Sequence, residues 1–434
     1  MSAASAYHPS IHVAGLGVSA TVKINEEVRT KRLAGEAVYH LGFGESPFPV
    51  PRRIREALTA GAGLNSYPPT LGLPELRERA LGYFPARLGF DASQMDVMVG
   101  PGSKDLIFAA QLAIDGDLLL PVPSWVSYAP QAQLVGTRTI RIPTVASNHH
   151  ALTGALISET VEQARARGLK PRKMILNSPN NPTGLGFQDH DLKEIAETAR
   201  ELGLVIISDE IYALISHGEQ QQSLAGHYPE GTIVTTGLSK HLSLGGYRVG
   251  FAFVPKALDG LIGGLAAVAS ETWTAVSHPV QHAAITALEE HEDIEAHIAL
   301  CTKAHGLATN YVRGALIGAG LDYPPLAGAF YLYPDFSRYR DKLKLAYGIK
   351  TSDDLAADLL ARLNVVTLPG TSFGEAPEVL TLRLAITDYD GGKALEYLGS
   401  HADVGPEEFV TAACPRVAKA AKLIAEYLKG AGAN

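Results

Sequence analysis

A lysine within a run of small residues is the feature of this sequence best suited to covalent chemistry. The sequence Thr-Gly-Leu-Ser-Lys at residues 236–240 ends an apolar stretch typical of a strand, and Gly-Gly-Tyr-Arg follows at 245–248. An unprotonated lysine amine forms a Schiff base with an aldehyde or ketone. An arginine guanidinium binds a phosphate through two parallel hydrogen bonds. Lys240 and Arg248 are therefore candidates for a carbonyl-binding group and an anion-binding group.

Two further segments place polar side chains directly after predicted strands. Asn-Ser-Pro-Asn-Asn-Pro-Thr-Gly at 177–184 follows one apolar run, and Ser-Asp-Glu-Ile-Tyr at 208–212 ends the most apolar run of the chain. A carboxylate such as that of Asp209 is costly at the end of a buried strand unless a cation pairs with it. A protonated pyridine nitrogen is such a cation, and its pairing with aspartate makes pyridoxal phosphate an electron acceptor.

Each of these features also has a purely structural explanation when it is taken singly. A lone lysine is most often a surface residue, Asn, Pro and Gly are turn residues, and Asp209 is suited to cap a following helix. Other site chemistry has less support. His291 and His297 lack the His-Glu-x-x-His spacing of a zinc site, and no glycine-rich nucleotide-binding motif follows a predicted strand. We therefore predict no metal site.

Strand-like and helix-like segments alternate along most of the chain, which predicts a mostly parallel α/β sheet. The predicted strands are 96–99, 118–122, 173–177, 204–208, 232–236 and 250–254, with later candidates at 330–332 and 380–384. The predicted helices include 104–114, 189–202, one long helix from 294 to about 318, and a C-terminal helical region that Pro415 interrupts. Because the pattern changes after the long helix, we place a domain boundary along it.

Length and composition narrow the class of protein. The chain has 434 residues, 46% of them hydrophobic and 19% charged, with a formal net charge of −8. The lack of a basic excess argues against partners such as nucleic acid or an anionic membrane. The two cysteines exclude a disulfide framework, and the N-terminal residues do not form a secretory signal. The longest apolar stretch, at 260–269, is too short to span a bilayer, so we expect a cytoplasmic protein.

In order and spacing, the motifs resemble those of the fold-type I pyridoxal-phosphate enzymes, specifically the class I/II aminotransferases of the aspartate and aromatic type. The resemblance runs from about residue 41 to residue 385. Besides the segments above, it includes Leu-Gly-Phe-Gly-Glu-Ser-Pro at 41–47, the segment from Tyr67 to Arg77, and Leu-Arg-Leu at 382–384. Six motifs in the same order make a chance match an inadequate explanation.

The resemblance implies roles for the residues around the ring of pyridoxal 5′-phosphate. Lys240 would be the catalytic residue, which binds the cofactor covalently and then shuttles a proton. Asp209 would keep the ring nitrogen protonated, and Asn181 and Tyr212 would hydrogen-bond the ring oxygen O3′. Trp125 would stack on the ring face, for which the nearby residue 128 is an alternative.

For the cofactor phosphate, the resemblance implies a cradle at the start of a helix, where free N–H groups and the helix dipole favour an anion. The residues that would form it are Gly102, Ser103, Lys104, Ser239, Arg248 and, from a partner subunit, Tyr67. One position departs from the family pattern. Many relatives carry a hydroxyl residue three positions before the lysine, where this chain has Gly237, so one phosphate ligand is missing or replaced.

For the substrate, the resemblance implies that Arg383 binds the carboxylate in a bidentate pair, helped by Asn181 and the Gly44 backbone. The Lys104 side chain resembles the lysine of aspartate and prephenate aminotransferases, where it meets the distal carboxylate of an acidic substrate. Aromatic amino acids remain the alternative, because Trp125, Tyr128 and Trp273 are suited to line a flat pocket.

The implied fold is α/β, with a large domain built on a mainly parallel seven-stranded sheet between helices, plus a smaller α+β domain. We predict that residues 46–320 form the large domain and that residues 1–45 and 321–434 together form the small one. The implied function is amino-group transfer between an amino acid and a 2-oxo acid by a homodimer. The alternatives are another pyridoxal-phosphate reaction (β-elimination, decarboxylation or oxidation) and a non-catalytic ligand sensor.

Overall fold

The computed structural model describes residues 8–432. The helices in this range are α1 (Ala20–Leu33), α2 (Arg52–Ala60), α3 (Pro74–Leu88), α4 (Ser103–Ala113), α5 (Tyr128–Leu134), α6 (Gly154–Ala166), α7 (Asp189–Leu202), α8 (Leu261–Ser270), α9 (His278–Ala287), α10 (Glu292–Gly318), α11 (Arg340–Tyr347), α12 (Ser352–Leu363), α13 (Gly391–Ser400), α14 (Pro406–Ala413) and α15 (Pro415–Gly430). The strands are β1 (Tyr39–His40), β2 (Met95–Gly100), β3 (Asp117–Val122), β4 (Thr139–Pro143), β5 (Pro171–Asn177), β6 (Val205–Asp209), β7 (Thr232–Gly237), β8 (Gly250–Pro255), β9 (Tyr331–Leu332), β10 (Val365–Val366), β11 (Leu368–Pro369) and β12 (Leu382–Ala385).

A seven-stranded sheet in the order β2-β8-β7-β6-β5-β3-β4 organises the first two thirds of the chain. Strand β8 runs antiparallel to both of its neighbours, and the remaining pairs are parallel. Helices cover both faces, which confirms the predicted α/β class with a mainly parallel sheet. Each parallel pair is joined through a helical crossover, as a parallel sheet requires.

The central strand β6 shows why its sequence is almost continuously apolar. Ile207 packs into the core on one face of the sheet, with Leu106 and Ile107 of α4. Ile206 packs into the core on the opposite face, with residues of α6 and α7 that include Ile195. A strand buried on both faces has no solvent-facing positions, so it loses the alternation seen in half-exposed strands.

Two small sheets follow in the C-terminal part of the chain. The antiparallel sheet β11-β12-β9 carries Arg383 on its middle strand, and β1 pairs in parallel with β10. The long helix α10 joins two hydrophobic cores, because Ile294 packs with helices that flank the large sheet whereas Val312 packs with the C-terminal elements. The domain limits at residues 45 and 320 stay a prediction. None of the helices within residues 8–432 has the length and hydropathy to cross a membrane.

Most of the predicted elements are confirmed to within a few residues, and the helix at 189–202 agrees at both ends. The helix predicted at 104–114 lies one residue earlier, at Ser103–Ala113, because Gly102 with its positive φ of 96° is the N-cap. Strand β4 was not predicted. It lies at the edge of the sheet, and its sequence alternates Ile140, Arg141 and Ile142, a short pattern that is easily taken for a loop.

The tightest backbone approach lies where β8 meets the start of α4. We expect Gly250→Ala to lower the urea midpoint of unfolding, because its added methyl would lie 2.4 Å from backbone atoms of Gly102 and Ser103. Overpacking of this kind costs about 1–3 kcal/mol. Gly246→Ala is the matched control, since nothing lies within 4 Å of the position of its Cβ. Equal midpoints for the two variants would contradict the prediction.

Candidate active site

A cavity of about 320 Å³ lies beyond the carboxyl ends of the central strands, which is the usual ligand position in a parallel sheet. Most of the predicted site residues line it: Gly44, Ser103, Lys104, Trp125, Asn181, Asp209, Tyr212, Ser239, Lys240, Arg248 and Arg383. Two larger clefts, of about 680 and 640 Å³, are lined by other residues and contain neither Lys240 nor Asp209. We therefore place the candidate site in the smaller cavity, where the titratable groups converge.

Lys240 presents its amine to this cavity from the loop that follows β7. Its Nζ donates a hydrogen bond to the Gly44 carbonyl at 2.9 Å. Burial lowers the pKa of Lys240 to about 8, against the opposing effect of Glu45 and with the support of the cations Arg383 and Arg248. At a pH near 8, about half of such amines are unprotonated, so the group is a competent nucleophile and proton acceptor.

Asp209 ends strand β6 and is only 3% exposed. Its Oδ2 accepts a hydrogen bond from the Tyr128 hydroxyl at 2.7 Å, whereas Oδ1 has no partner among the described residues. Burial raises the pKa of Asp209 to about 6, despite the opposing hydrogen bond from Tyr128. Asn177 holds the strand end in place by donating to the Asp209 backbone carbonyl at 2.7 Å. A buried carboxylate with one free oxygen is suited to a cationic N–H group.

An anion cradle lies at the N-terminus of α4. Gly102 is the N-cap and has no side chain to satisfy the first N–H groups of the helix, so these groups remain available to a ligand. Arg248 lies over this turn, with hydrogen bonds to the carbonyls of Pro101 at 3.0 Å and Gly245 at 3.1 Å. A Cβ on Gly102 would lie 2.4 Å from the Arg248 guanidinium, so the close approach requires glycine.

At Gly237 the departure from the family pattern has a structural reason. A Cβ at this position would lie 2.7 Å from the Val249 carbonyl oxygen. In this chain β7 and β8 therefore approach too closely for a hydroxyl residue at position 237. The side chains left to contact a phosphate are those of Ser239 and Arg248, which both line the cavity.

Arg383 is almost fully buried, with 1% exposure, on the middle strand of the small antiparallel sheet. Its Nη1 donates to Asn181 Oδ1 at 3.2 Å, and its Nη2 donates to the Gly42 carbonyl at 2.6 Å. Its Nε has no partner among the described residues. A buried guanidinium without a carboxylate partner is incomplete, and a ligand carboxylate supplies what it lacks. The structure thus brings Arg383 and Asn181 together, as predicted.

The aromatic residues divide between two roles. Trp125 lines the cavity, and the Lys104 amine lies 5.0 Å from the centre of its ring. Tyr128 is not available as a stacking surface, because its hydroxyl is bound to Asp209. Trp273 packs against a hydrophobic core and does not line the cavity, so its predicted place in a flat substrate pocket is wrong.

Sequence reasoning missed Tyr331. Its hydroxyl lies 2.8 Å from the hydroxyl of Tyr212, and the centre of its ring lies 4.9 Å from the Arg383 guanidinium carbon. Residues 330–332 were predicted as a strand without any site role, and the antiparallel pairing of β9 with β12 is what places Tyr331 beside Arg383. In sequence, the segment offers only a strand pattern.

Tyr67 is the predicted site residue that lies apart from the others. It is 90% exposed and does not line the cavity. Its position within this single chain leaves its predicted contact with a phosphate untested.

The family model described as aminotransferase class I and II matches residues 36–398. The chain belongs to this family. An aspartate aminotransferase of Geobacillus stearothermophilus is 32% identical over 384 residues, which cover 86% of this chain and 93% of that protein. An aromatic-amino-acid aminotransferase of Thermococcus litoralis is 31% identical over 353 residues, with 79% and 86% covered. The protein is therefore a transaminase, which transfers amino groups between amino acids and 2-oxo acids.

The solved structures agree with this fold. An aspartate aminotransferase of Thermus thermophilus with maleate superposes with a TM-score of 0.80 at 24% identity, covering 96% of this chain and all of that one. An aromatic aminotransferase of Pyrococcus horikoshii gives a TM-score of 0.76 at 27% identity, covering 93% and 100%. Members of the family depend on pyridoxal phosphate and typically form homodimers.

The raised pKa of Asp209 predicts how stability changes with pH. Its stabilising contribution is present below the unfolded pKa of 3.8 and is lost as pH rises through about 6. In protein freed of bound small molecules, Asp209→Asn should therefore gain roughly 3 kcal/mol over wild type between pH 4 and pH 8. Urea titrations at a series of pH values measure the difference.

Asp117 is the matched control, because Arg138 and the Lys170 N–H overcome the effect of burial and lower the pKa of its carboxyl. Asp117→Asn should show the opposite slope, being destabilised at neutral pH and less so in acid. If Asp209→Asn and wild type kept a constant difference across this range, the placement of an ionisable, half-satisfied Asp209 would be contradicted.

Proposed function

We propose that this aminotransferase uses pyridoxal 5′-phosphate bound in the 320 Å³ cavity and that its preferred amino donor is a dicarboxylic amino acid. The observation that carries the cofactor assignment is the unpartnered Oδ1 of buried Asp209 in the same cavity as the Lys240 amine. A protonated ring nitrogen satisfies the first group, and an aldehyde reacts with the second. The bare N-terminus of α4 matches the phosphate of the same molecule.

The residues present fit each part of the cofactor. Lys240 would hold it covalently and Asp209 would pair with the ring nitrogen, while Tyr212 and Asn181 would hydrogen-bond O3′ and Trp125 would cover one ring face. The phosphate would be bound at the turn before α4 by Gly102, Ser103, Lys104, Ser239 and Arg248. When bound, the cofactor supplies an electron sink for the pair released as a bond to the substrate Cα breaks.

The chain's own groups then perform the steps that make the chemistry a transfer. Arg383 binds the substrate carboxylate in a planar, bidentate pair, with Asn181 and the Gly44 backbone beside it, and so fixes the orientation of Cα. Lys240 Nζ accepts the proton that leaves Cα and hands it on. The lowered pKa of this amine, about 8, makes it able both to take up and to release that proton near neutral pH.

Lys104 supports the preference for a dicarboxylic donor. Its amine lies 5.0 Å above the Trp125 ring inside the cavity, and burial lowers its pKa, with Arg248 adding to the effect and Asp105 opposing it. A partly desolvated cation is stabilised by an anion, and the distal carboxylate of aspartate or glutamate provides one. Aromatic donors are the second candidate, because the exposed part of Trp125 offers a flat apolar surface in the same cavity.

The proposed active unit is a homodimer in which Tyr67 of one subunit contacts the cofactor phosphate of the other. The exposure of Tyr67 within the single chain, 90%, supports this arrangement. An exposed tyrosine of this size is costly to leave in water and is enriched at protein interfaces. Burial against a second copy removes that cost.

Borohydride reduction of the holoenzyme should attach the cofactor irreversibly to Lys240, which peptide mass spectrometry identifies. Lys240→Ala should lose transfer activity by about a hundredfold or more, because no other group moves the Cα proton. Cofactor should still bind through Asp209 and the α4 N-terminus. Lys173 is the internal control, since burial lowers its pKa to about 8 too, but its amine is bound to carbonyls at the end of α4. An adduct on Lys173 would overturn the assignment.

Comparison of aspartate, glutamate and phenylalanine as amino donors tests the role of Lys104. Lys104→Ala should lose about tenfold or more in kcat/KM with the two dicarboxylates and little with phenylalanine, since one charged hydrogen bond is lost. Lys193→Ala is the matched control, an exposed lysine on α7. An equal loss with all three donors would assign Lys104 to the cofactor, and no loss would assign it to solvent.

A further inference from the structure

Tyr331 touches both halves of the proposed chemistry. It is 1% exposed and lies on β9, directly opposite Ala385 of the strand that carries Arg383. Its ring centre lies 4.9 Å from the Arg383 guanidinium carbon, and its hydroxyl lies 2.8 Å from the Tyr212 hydroxyl. Tyr331 therefore joins the group proposed for the substrate carboxylate to a group proposed for the cofactor O3′.

Packing fixes the Tyr331 hydroxyl in this position. The Tyr212 and Tyr331 rings meet edge to face, with centres 5.4 Å apart at 85°. On another side, a Cβ on Gly44 would lie 2.0 Å from the Tyr331 hydroxyl, so this contact requires glycine. The hydroxyl has little freedom to turn away from Tyr212.

The direction of the hydrogen bond follows from the number of protons available. Burial raises the pKa of Tyr331, and burial raises the pKa of Tyr212 well above its ordinary value, so both hydroxyls keep their protons. Each hydroxyl has one proton to donate. If Tyr212 donates to the cofactor O3′, its oxygen must accept from Tyr331, and a donor chain of this kind strengthens each bond in it.

The charged groups around the pair favour the same direction. Arg383 faces the Tyr331 ring and opposes the rise in its pKa, which makes its O–H a stronger hydrogen-bond donor. Tyr212 faces Lys240, whose amine lies 5.6 Å from its ring centre, and it also feels the negative charge of Asp209. A proton is therefore released more readily from Tyr331 than from Tyr212.

We propose that Tyr331 is a positioning residue that donates to Tyr212 and thereby sets how strongly Tyr212 stabilises the cofactor O3′, an inference that rests on the proposed function. Donation to an anionic O3′ favours release of the proton held beside it. Tyr331 thus keeps the pH midpoint of the bound cofactor's visible absorbance change low, and it does so from the small sheet that also carries Arg383.

Spectral pH titration of the holoenzyme tests this relay apart from turnover. Tyr331→Phe should raise the midpoint by about 0.3–1 pH unit, the size expected when one neutral hydrogen bond is lost. Tyr212→Phe should raise it further. The double variant should match Tyr212→Phe alone, because Tyr331 acts only through Tyr212.

Two further variants keep the test decisive. Tyr339→Phe is the matched control, a buried tyrosine outside the cavity whose hydroxyl donates to the Ala319 carbonyl, and its midpoint should equal that of wild type. Replacement of Tyr331 by a fluorinated tyrosine keeps its shape and makes its hydroxyl more acidic, so the midpoint should fall. This variant decides the matter if Tyr331→Phe does not fold.

An unchanged midpoint in Tyr331→Phe and in the fluorinated variant, or shifts that add in the double variant, would overturn the relay. Failure of the proposed function has a different signature. In that case the wild-type protein shows no cofactor absorbance that titrates with pH, and Tyr212→Phe has nothing to shift.

Discussion

The half-satisfied carboxylate of Asp209 is the constraint on which the rest of the cavity depends. It lies at the end of the central strand, covered by helices on both faces of the sheet, with one oxygen bound to Tyr128 and the other without a partner among the described residues. Burial of this kind is unfavourable until a cation meets the free oxygen. The chain thus folds around a position that a protonated ring nitrogen completes, and fixing that ring fixes where Lys240 must lie.

Positive charge dominates the remainder of the site and explains its preference for anions. The side chains of Lys104, Lys240, Arg248 and Arg383 line the cavity, against the two acids Asp209 and Glu45, and the N-terminus of α4 adds its partial charge. A ligand with a phosphate at one end and carboxylates at the other matches this distribution. The large sheet supplies the groups for the phosphate and the ring, whereas the small sheet supplies Arg383 and Tyr331.

Local sequence was informative where one physical rule applied. The apolar run of β6 predicted a strand covered on both faces, and the Asn-Pro and Ser-Lys motifs marked the strand ends that line the cavity. It was weaker at β4, where an edge strand exposes one face. It also gave Tyr128 as a possible stacking residue, whereas burial directs its hydroxyl to Asp209. Strand pattern alone does not specify where a buried hydroxyl finds its partner.

The sequence by itself determined the family, the α/β class and most of the residues that line the cavity, because ordered motifs at strand ends need no long-range information. The tertiary structure alone decided which of two adjacent buried acids faces the ligand: Asp209 turns to Tyr128 and the cavity, and Glu210 turns to the hydroxyls of Ser208 and Ser223. It alone also brought Tyr331 to Tyr212, across 119 residues of chain. Pairings of that length depend on how sheets pack together, which no local pattern encodes.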